Sequence, residues 1–144
     1  MAVKQVSIFV ENKPGRMYEM TKVLADNNID MRALSLSETE GFGIVRIIVD
    51  DVYDTATILK DAGYINKINH VVVVSIPDEP GGLSKVLGIL NDEGINIDYM
   101  YAILGGKAAN EALMVFRVDD YKKAEIELRK KDVKVLTGED INAI

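Results

Sequence analysis

The sequence of 144 residues contains no cysteine, and this absence excludes a disulfide framework, a thiol nucleophile and a zinc site built on thiolates. It contains a single histidine, His70, which removes most histidine chemistry, and we assign His70 no catalytic role. No run approaches the roughly 20 apolar residues that span a bilayer, and the amino terminus lacks the pattern of a secretory signal. These absences lead us to expect a cytoplasmic protein that does not contact membranes.

Positive charge is also scarce, because 17 lysines and arginines face 23 acidic residues and the net charge is −6. Phosphate backbones and anionic lipids select clustered basic residues, so we expect neither nucleic acid nor membrane as a partner. The segment 40–47 is similar to the central motif of an RNA-recognition domain, but Glu40 stands at its basic position and isoleucines replace its aromatics. No carboxylate pair has the spacing of a metal site or an acid–base dyad. We therefore expect no catalytic residue, no metal and no cofactor.

What the chain does contain is an internal repeat. A Pro-Gly pair, Pro14-Gly15, recurs 66 residues later as Pro80-Gly81, and the early part of each copy keeps this offset. Further on the offset grows to 69, so the second copy is three residues longer, in a hairpin loop that we expect at 104–110. The repeat predicts two domains, residues 1–69 and residues 70–144.

Both copies show the same order of apolar periodicities: a strand, a helix, two strands, a helix and a short strand. The predicted strands are 5–10, 29–37, 42–49 and 64–68 in the first copy, and 71–76, 95–103, 112–118 and 133–136 in the second. This order predicts an α+β fold with two ferredoxin-like βαββαβ units, each an antiparallel sheet with its helices on one face. The unbroken apolar run 71–74 further predicts that the second face of a sheet is also buried.

A βαββαβ unit with Asn-Lys-Pro-Gly-Arg-Met or Asp-Glu-Pro-Gly-Gly-Leu after its first strand resembles an ACT domain, and the resemblance covers both copies. It implies a small-molecule sensor that binds amino acids at interfaces between ACT domains and regulates amino-acid metabolism. Such sites combine the turn before the first helix with the start of the second strand of a paired domain. The implied ligand-binding residues are Asn12, Pro14, Gly15, Arg16, Met17 and Asp30, with their counterparts Asp78, Pro80, Gly81, Gly82, Leu83 and Asn96.

The residue types at these positions suit a free amino acid. Backbone N–H groups at a helix start can hold a carboxylate, and glycine lets a ligand approach the backbone closely. The ammonium group needs oxygen acceptors, which Asn12 and Asp78 in the turns and Asp30 and Asn96 in the strands can supply. A simpler interpretation also exists, in which Asn12 and Asp78 only cap the helices and proline fixes the first turn. Duplication of the whole pattern favours the ligand site.

From these observations we expect a non-catalytic sensor, with a metabolic enzyme as a further partner and a homodimer as the assembly. A first alternative is a regulatory subunit or interaction module of a biosynthetic enzyme, in which the turns are only structural. A second alternative is a small ferredoxin-like enzyme, which the shortage of catalytic groups disfavours. Because Asn12 is replaced by Asp78 and Asp30 by Asn96, we expect the two sites to differ in occupancy or preference.

Overall fold

The structure, a computed structural model, describes residues 2–103 and 110–144. The predicted hairpin loop therefore lies outside the described residues, except for Asn110. The secondary-structure elements in chain order are β1 (Val3–Glu11), α1 (Arg16–Asp26), β2 (Met31–Thr39), β3 (Phe42–Val49), α2 (Val52–Asp61), β4 (Asn66–Pro77), α3 (Gly82–Asp92), β5 (Ile97–Ala102), β6 (Glu111–Val118), α4 (Tyr121–Lys130), β7 (Lys134–Val135) and α5 (Gly138–Asn142).

The chain divides into two compact units, which we call the first unit (Lys4–Asn69) and the second unit (His70–Ile144); Ala2 and Val3 fall with the second unit. In the first unit the antiparallel strand order is β2-β3-β1, with the start of β4 beside β1. In the second unit the order is β5-β6-β4-β7, again antiparallel. The predicted pair of βαββαβ units is confirmed, and each unit has the strand order of a ferredoxin-like sheet.

Each unit has its own core between one sheet face and two helices. In the first unit, alternate residues of β1 such as Val6 and Ile8 pack with Met20 and Leu24 of α1 and Leu59 of α2. The second unit repeats this layer with apolar residues of β4, β6, α3 and α4, which include Val72, Val74, Ile76, Val86, Leu90, Phe116 and Leu128. Within each unit, the two helices therefore lie on one face of that unit's own strands, as the spacing of apolar residues requires.

Residues of both parities are buried along the second half of β4, where Val71 and Val73 are 0% exposed beside the core residues Val72 and Val74. The unbroken apolar run therefore corresponds to a strand that is shielded on both faces. This is the pattern that the run predicts, since a strand with one solvated face alternates between apolar and polar residues.

The four long helices end in the same way, in a residue with a positive φ: Asn28, Gly63, Gly94 and Asp132. After α1, for example, the Ile29 amide bonds to the Leu24 carbonyl at 2.9 Å and the Asn28 amide to Ala25 at 3.1 Å. These are the two bonds of a Schellman motif. Because the motif uses two further residues, β2 and β5 each begin two residues later than the sequence predicts.

Candidate functional site

The two Pro-Gly turns have nearly identical backbone geometry. Gly15 precedes α1 with φ 86° and ψ −15°, and Gly81 precedes α3 with φ 87° and ψ −8°. Each glycine carbonyl accepts the first helical hydrogen bond, from Glu19 or Lys85, at 3.0 Å. Only glycine adopts this left-handed conformation without a steric cost, so both turns depend on it.

Neither helix start is capped by a side chain, so the interpretation of Asn12 and Asp78 as caps is wrong. Both side chains belong to exposed residues. Their backbone amides instead hold the turn to the neighbouring hairpin, because Asn12 bonds to the Gly41 carbonyl at 3.4 Å and Asp78 to the Asn110 carbonyl at 2.7 Å. Within residues 2–103 and 110–144, neither the Asn12 nor the Asp78 side chain has a hydrogen-bond or ion-pair partner.

The first turns of α1 and α3 also offer backbone donors. The amides of Met17 and Tyr18, and those of Leu83 and Ser84, have no acceptor among the residues that the structure describes. Such amides, at the positive end of the helix dipole, form a suitable place for a carboxylate. The side chains of Met17 and Leu83 are partly buried and pack against the two cores, and their backbone amides are among these free donors.

Charged side chains surround the first turn. Glu11 pairs with Lys13 at 3.0 Å, and Arg16 binds Glu19 at 3.1 Å and lies 3.9 Å from Glu11. The hydrogen bond and the charge of Lys13, with a smaller contribution from Arg16, hold the pKa of the Glu11 carboxyl below its usual value. The predicted ligand residue Arg16 is thus already engaged by carboxylates of its own unit.

The strand residues Asp30 and Asn96 precede β2 and β5. The Asp30 side chain is 81% exposed, and its nearest charge is Arg32 at 3.9 Å. Arg32 itself makes a bidentate pair with Asp50, with both N–O distances 3.0 Å, and this carboxylate raises the pKa of the Arg32 guanidinium. Asn96 is exposed as well, and its side-chain amide donates to Asp98 at 3.2 Å.

Within one unit, the turn and the strand start lie at opposite ends of the sheet. In the first unit, Glu11 pairs with Phe42 whereas Met31 pairs with Val49, seven residues along β3. At about 3.3 Å per residue, this separation is about 23 Å. The second unit repeats the arrangement with Pro77 opposite Glu111 and Ile97 opposite Val118. No single unit therefore brings its turn and its strand residue together, and a site that uses both needs a second unit.

A cavity of about 410 Å³ lies beside the second turn, entirely within the second unit. Three predicted residues, Pro80, Gly81 and Gly82, line it. Sequence reasoning missed its other polar lining residues, which include Ser75, Lys85, Glu111 and Lys134. A position-by-position comparison of the two copies could have found them, because at the matched offsets the first copy has Phe9, Glu19, Phe42 and Ile65.

Residues 2–103 and 110–144 contain no group of three or more histidine or acidic residues that could hold a metal ion. His70, which we assigned no catalytic role, stacks on Tyr121 with ring centroids 4.5 Å apart. None of the helices in residues 2–103 and 110–144 combines the length and the apolar character needed to cross a bilayer.

Comparison with solved structures gives the same fold. A protein from Bacteroides thetaiotaomicron is 42% identical, with a TM-score of 0.91, over 100% of this chain and 98% of that one. The ligand-free regulatory subunit of aspartate kinase from Thermus thermophilus is 15% identical, with a TM-score of 0.65, over 89% of each chain. A structure of aspartokinase alpha and beta subunits is 22% identical, with a TM-score of 0.58, over 87% of this chain and 84% of that one.

A search of curated proteins found no match. A family model described as an ACT domain pair matches residues 1–144. The repeated turns, the two ferredoxin-like units and this match agree with one another. The chain belongs to the family of ACT domain pairs.

Proposed function

We propose that the protein is a non-catalytic sensor that binds a free amino acid at interfaces between ACT units and regulates amino-acid metabolism. Residues 1–69 and 70–144 are its two ACT domains. The chain has the regulatory fold that the aspartate kinase regulatory subunits also have. A sensor needs a ligand that binds one state better than another, and a coupling of about 1–3 kcal/mol is typical.

The observation that carries the proposal is the pair of uncapped helix starts behind Gly15 and Gly81. Each leaves two amides without an acceptor in the described structure. A carboxylate bound there gains charge-assisted hydrogen bonds, which are about twice as strong as neutral ones. Asn12 and Asp78, which precede these helix starts in the same turns, carry side-chain oxygens of the kind that suits the ammonium group of the same ligand.

The second half of each site comes from a paired unit. Asp30 and Asn96 lie about 23 Å from the turn of their own unit, by the strand registers and the rise of a strand. We therefore assign them to the turn of a neighbouring unit, either in the same chain or in a second copy. A homodimer would supply the second copy, and the cytoplasm, where free amino acids are made and used, is the proposed location.

A calorimetric and thermal-shift screen of the purified chain against each proteinogenic amino acid tests the proposal. We expect one amino acid, or a few related ones, to raise the melting temperature and to give a saturable binding isotherm. Light scattering with and without that amino acid should report a dimer whose population changes with occupancy. If every amino acid leaves the melting temperature and the calorimetric baseline unchanged, the sensor proposal is wrong.

The alternative, a regulatory subunit without its own ligand, draws support from the fold shared with the regulatory subunit of aspartate kinase. Affinity capture of the full chain from a lysate of its native host, followed by mass spectrometry, separates the two proposals. A stoichiometric metabolic enzyme that co-purifies, together with no response to any amino acid, would favour the alternative. An enzyme partner whose association changes with one amino acid would support the sensor.

A further inference from the structure

We propose that the first unit carries a contact surface for a second copy of this chain, on the sheet face that points away from its helices. The surface is formed by four apolar residues, which we call the apolar patch: Phe9, Phe42, Ile44 and Ile65. The inference goes beyond the proposed sensor, because it concerns the assembly of the chain and does not depend on an amino-acid ligand.

The strand register brings the four side chains of the apolar patch together. In the β1–β3 ladder, Phe9 lies opposite Ile44. Phe42 lies two residues from Ile44 along β3, and its ring centroid is 6.1 Å from that of Phe9. The Phe9 amide bonds to the Ile65 carbonyl at 3.0 Å, which places Ile65 opposite Phe9 at the start of β4. The central row of the patch therefore crosses three strands.

The apolar patch lies on the face of the sheet away from α1 and α2. Val10 and Val45, the chain neighbours of Phe9 and Ile44, belong to the core between the sheet and the helices. Because successive residues of a strand point to opposite faces, Phe9 and Ile44 point away from that core. The other two members share this face, since one is two residues along β3 and the other lies opposite Phe9.

The apolar patch is accessible to a partner. Ile65 is 73% exposed and Phe42 is 40% exposed, whereas Phe9 and Ile44 are half-buried beside them. Apolar surface that a partner removes from water contributes favourably to association, and contiguous patches of this kind mark interaction sites.

The fold does not require apolar residues at these positions, because the second unit forms the same sheet without them. Its residues that match Phe9 and Ile65 also lie opposite each other, in the pairing of β4 with β7. At the positions that match Phe9, Phe42 and Ile65, the second unit has polar residues: Ser75, Glu111 and Lys134. The apolar patch is thus specific to the first unit, which favours a role in recognition over a role in folding.

Charged residues border the apolar patch on two opposite sides. Toward the middle of the sheet lie Arg46 on β3 and Lys67 on β4, each two residues beyond the central row. Toward the first turn lie Glu11 at the end of β1 and Glu40 in the turn between β2 and β3. Among the residues that the structure describes, the side chains of Lys67 and Glu40 have no hydrogen-bond or ion-pair partner. One border is therefore cationic and the opposite border is anionic.

This charge arrangement is complementary to itself, which identifies a second copy as the partner. A two-fold axis along the central row places the apolar patches of two copies against each other and exchanges their charged borders. Because β1 lies between β3 and β4, Glu11 of one copy then faces the space between Arg46 and Lys67 of the second copy. Sheets that pack face to face are about 10 Å apart, a distance that facing side chains fill.

The test measures the mass of the full chain as a function of its concentration, by analytical ultracentrifugation without any amino acid. Two variants introduce the matching residues of the second unit into the apolar patch, Phe42→Glu and Ile65→Lys. Two charge-matched controls change exposed apolar residues elsewhere, Leu36→Glu on the helix side of the same sheet and Ile126→Lys on α4. Circular dichroism verifies that all four variants are folded.

We expect the wild-type chain to dimerise, and Phe42→Glu and Ile65→Lys each to raise the dimer dissociation constant about ten-fold or more, because a charge inside an apolar contact loses its water. The controls should stay within about two-fold of the wild type, as expected for residues outside the contact. A monomeric wild-type chain would overturn the proposal and assign the apolar patch to a different partner. A dimer that the controls weaken as much as the patch variants would also overturn it.

The charged borders provide a second readout, which tests the two-fold geometry. Glu11→Lys and Lys67→Glu should each weaken the dimer, because like charges then meet across the contact. The double variant restores opposite charges and should recover much of the lost affinity. Purely additive losses in the double variant would overturn this geometry. A dimer that depends on Phe42 in a chain that binds no amino acid would support the apolar patch and overturn only the sensor.

Discussion

Ser75 and Glu111 share a 2.9 Å hydrogen bond, but the two partners stand in opposite environments: Ser75 is 8% exposed whereas Glu111 is exposed to solvent. The free energy of unfolding that is lost with this bond therefore depends on which of the two partners is removed. Removing the hydroxyl leaves a carboxylate that water can solvate, and removing the carboxylate leaves a buried hydroxyl without an acceptor.

We expect Glu111→Ala to lower the free energy of unfolding by about 1–2 kcal/mol and Ser75→Ala to change it by no more than about 0.5 kcal/mol. Urea denaturation of both single variants and of the double variant measures the difference. The double variant should be close to Ser75→Ala, because the buried hydroxyl is then absent. Equal losses in the two single variants would contradict the assignment of Ser75 as a buried donor that depends on Glu111.

A side chain at Gly81 should destabilise the protein through its backbone conformation and not through a collision with neighbouring residues. Nothing lies within 4 Å of a Cβ atom at Gly81 or at Gly88, but Gly81 has φ +87° and Gly88 lies inside α3. Gly81→Ala should therefore destabilise the protein by about 1–2 kcal/mol through left-handed strain. Gly88→Ala should stabilise it by about 0.5–1 kcal/mol, because alanine is the better helix former. Thermal and urea unfolding of the two variants should show shifts of opposite sign.

Glu125 makes stability depend on pH. It is a buried residue of α4 whose Oε2 has no hydrogen-bond partner among the residues that the structure describes. Burial raises the pKa of its carboxyl, against smaller opposing effects of Arg129 and His70. A raised carboxyl pKa favours the protonated native state, so this contribution to stability is complete below the unfolded value near 4.5 and is lost as pH rises through the native pKa.

We expect Glu125→Gln to raise the unfolding free energy at neutral pH and to have a smaller effect in acid, where Glu125 is already neutral. Glu127→Gln, on the same helix, is the matched control. It removes a pair with Lys130 at 3.3 Å in which the lysine side chain is 65% exposed, so it should cost no more than about 1 kcal/mol, with little dependence on pH near neutrality. Parallel pH profiles for wild type and Glu125→Gln, measured by urea denaturation, would contradict the assignment.

The elements that the sequence predicts well are those with strong apolar periodicity. The third strand, 42–49, agrees with β3 at both ends. Helix α5 was missed because five residues are too few to show a helical period; it depends on a capping box between Thr137 and Asp140. Local patterns of this length carry little information without their tertiary setting.

The candidate site was predictable in part, for a related reason. Local sequence is sufficient for the Gly15 and Gly81 turns, because a Pro-Gly pair between a strand and a helix restricts the backbone by itself. The Ser75–Glu111 pair joins residues 36 positions apart. Its existence depends on the register of β4 against β6, which alternation alone does not specify.

The two turns should act as separate and unequal ligand sites, because they share a backbone conformation but differ in charge, with Asn12 and Arg16 in one and Asp78 and Gly82 in the other. Gly15→Val or Gly81→Val adds bulk where the ligand approaches. Each variant should therefore remove one class of site from the calorimetric isotherm and leave the other. Gly63→Val is the matched control, since Gly63 has φ +93° and equally open surroundings but lies at the end of α2.

All three valine variants should lose a similar amount of stability, about 1–2 kcal/mol, because each forces a β-branched residue into the left-handed region. Only the two turn variants should lose ligand. We also expect the remaining affinity to differ between Gly15→Val and Gly81→Val, since the surviving turn carries Asp78 in the first case and Asn12 in the second. Unchanged stoichiometry and affinity in folded Gly81→Val would mean that the second turn does not bind the amino acid. Loss of binding in Gly63→Val would attribute the effect to stability rather than to the site.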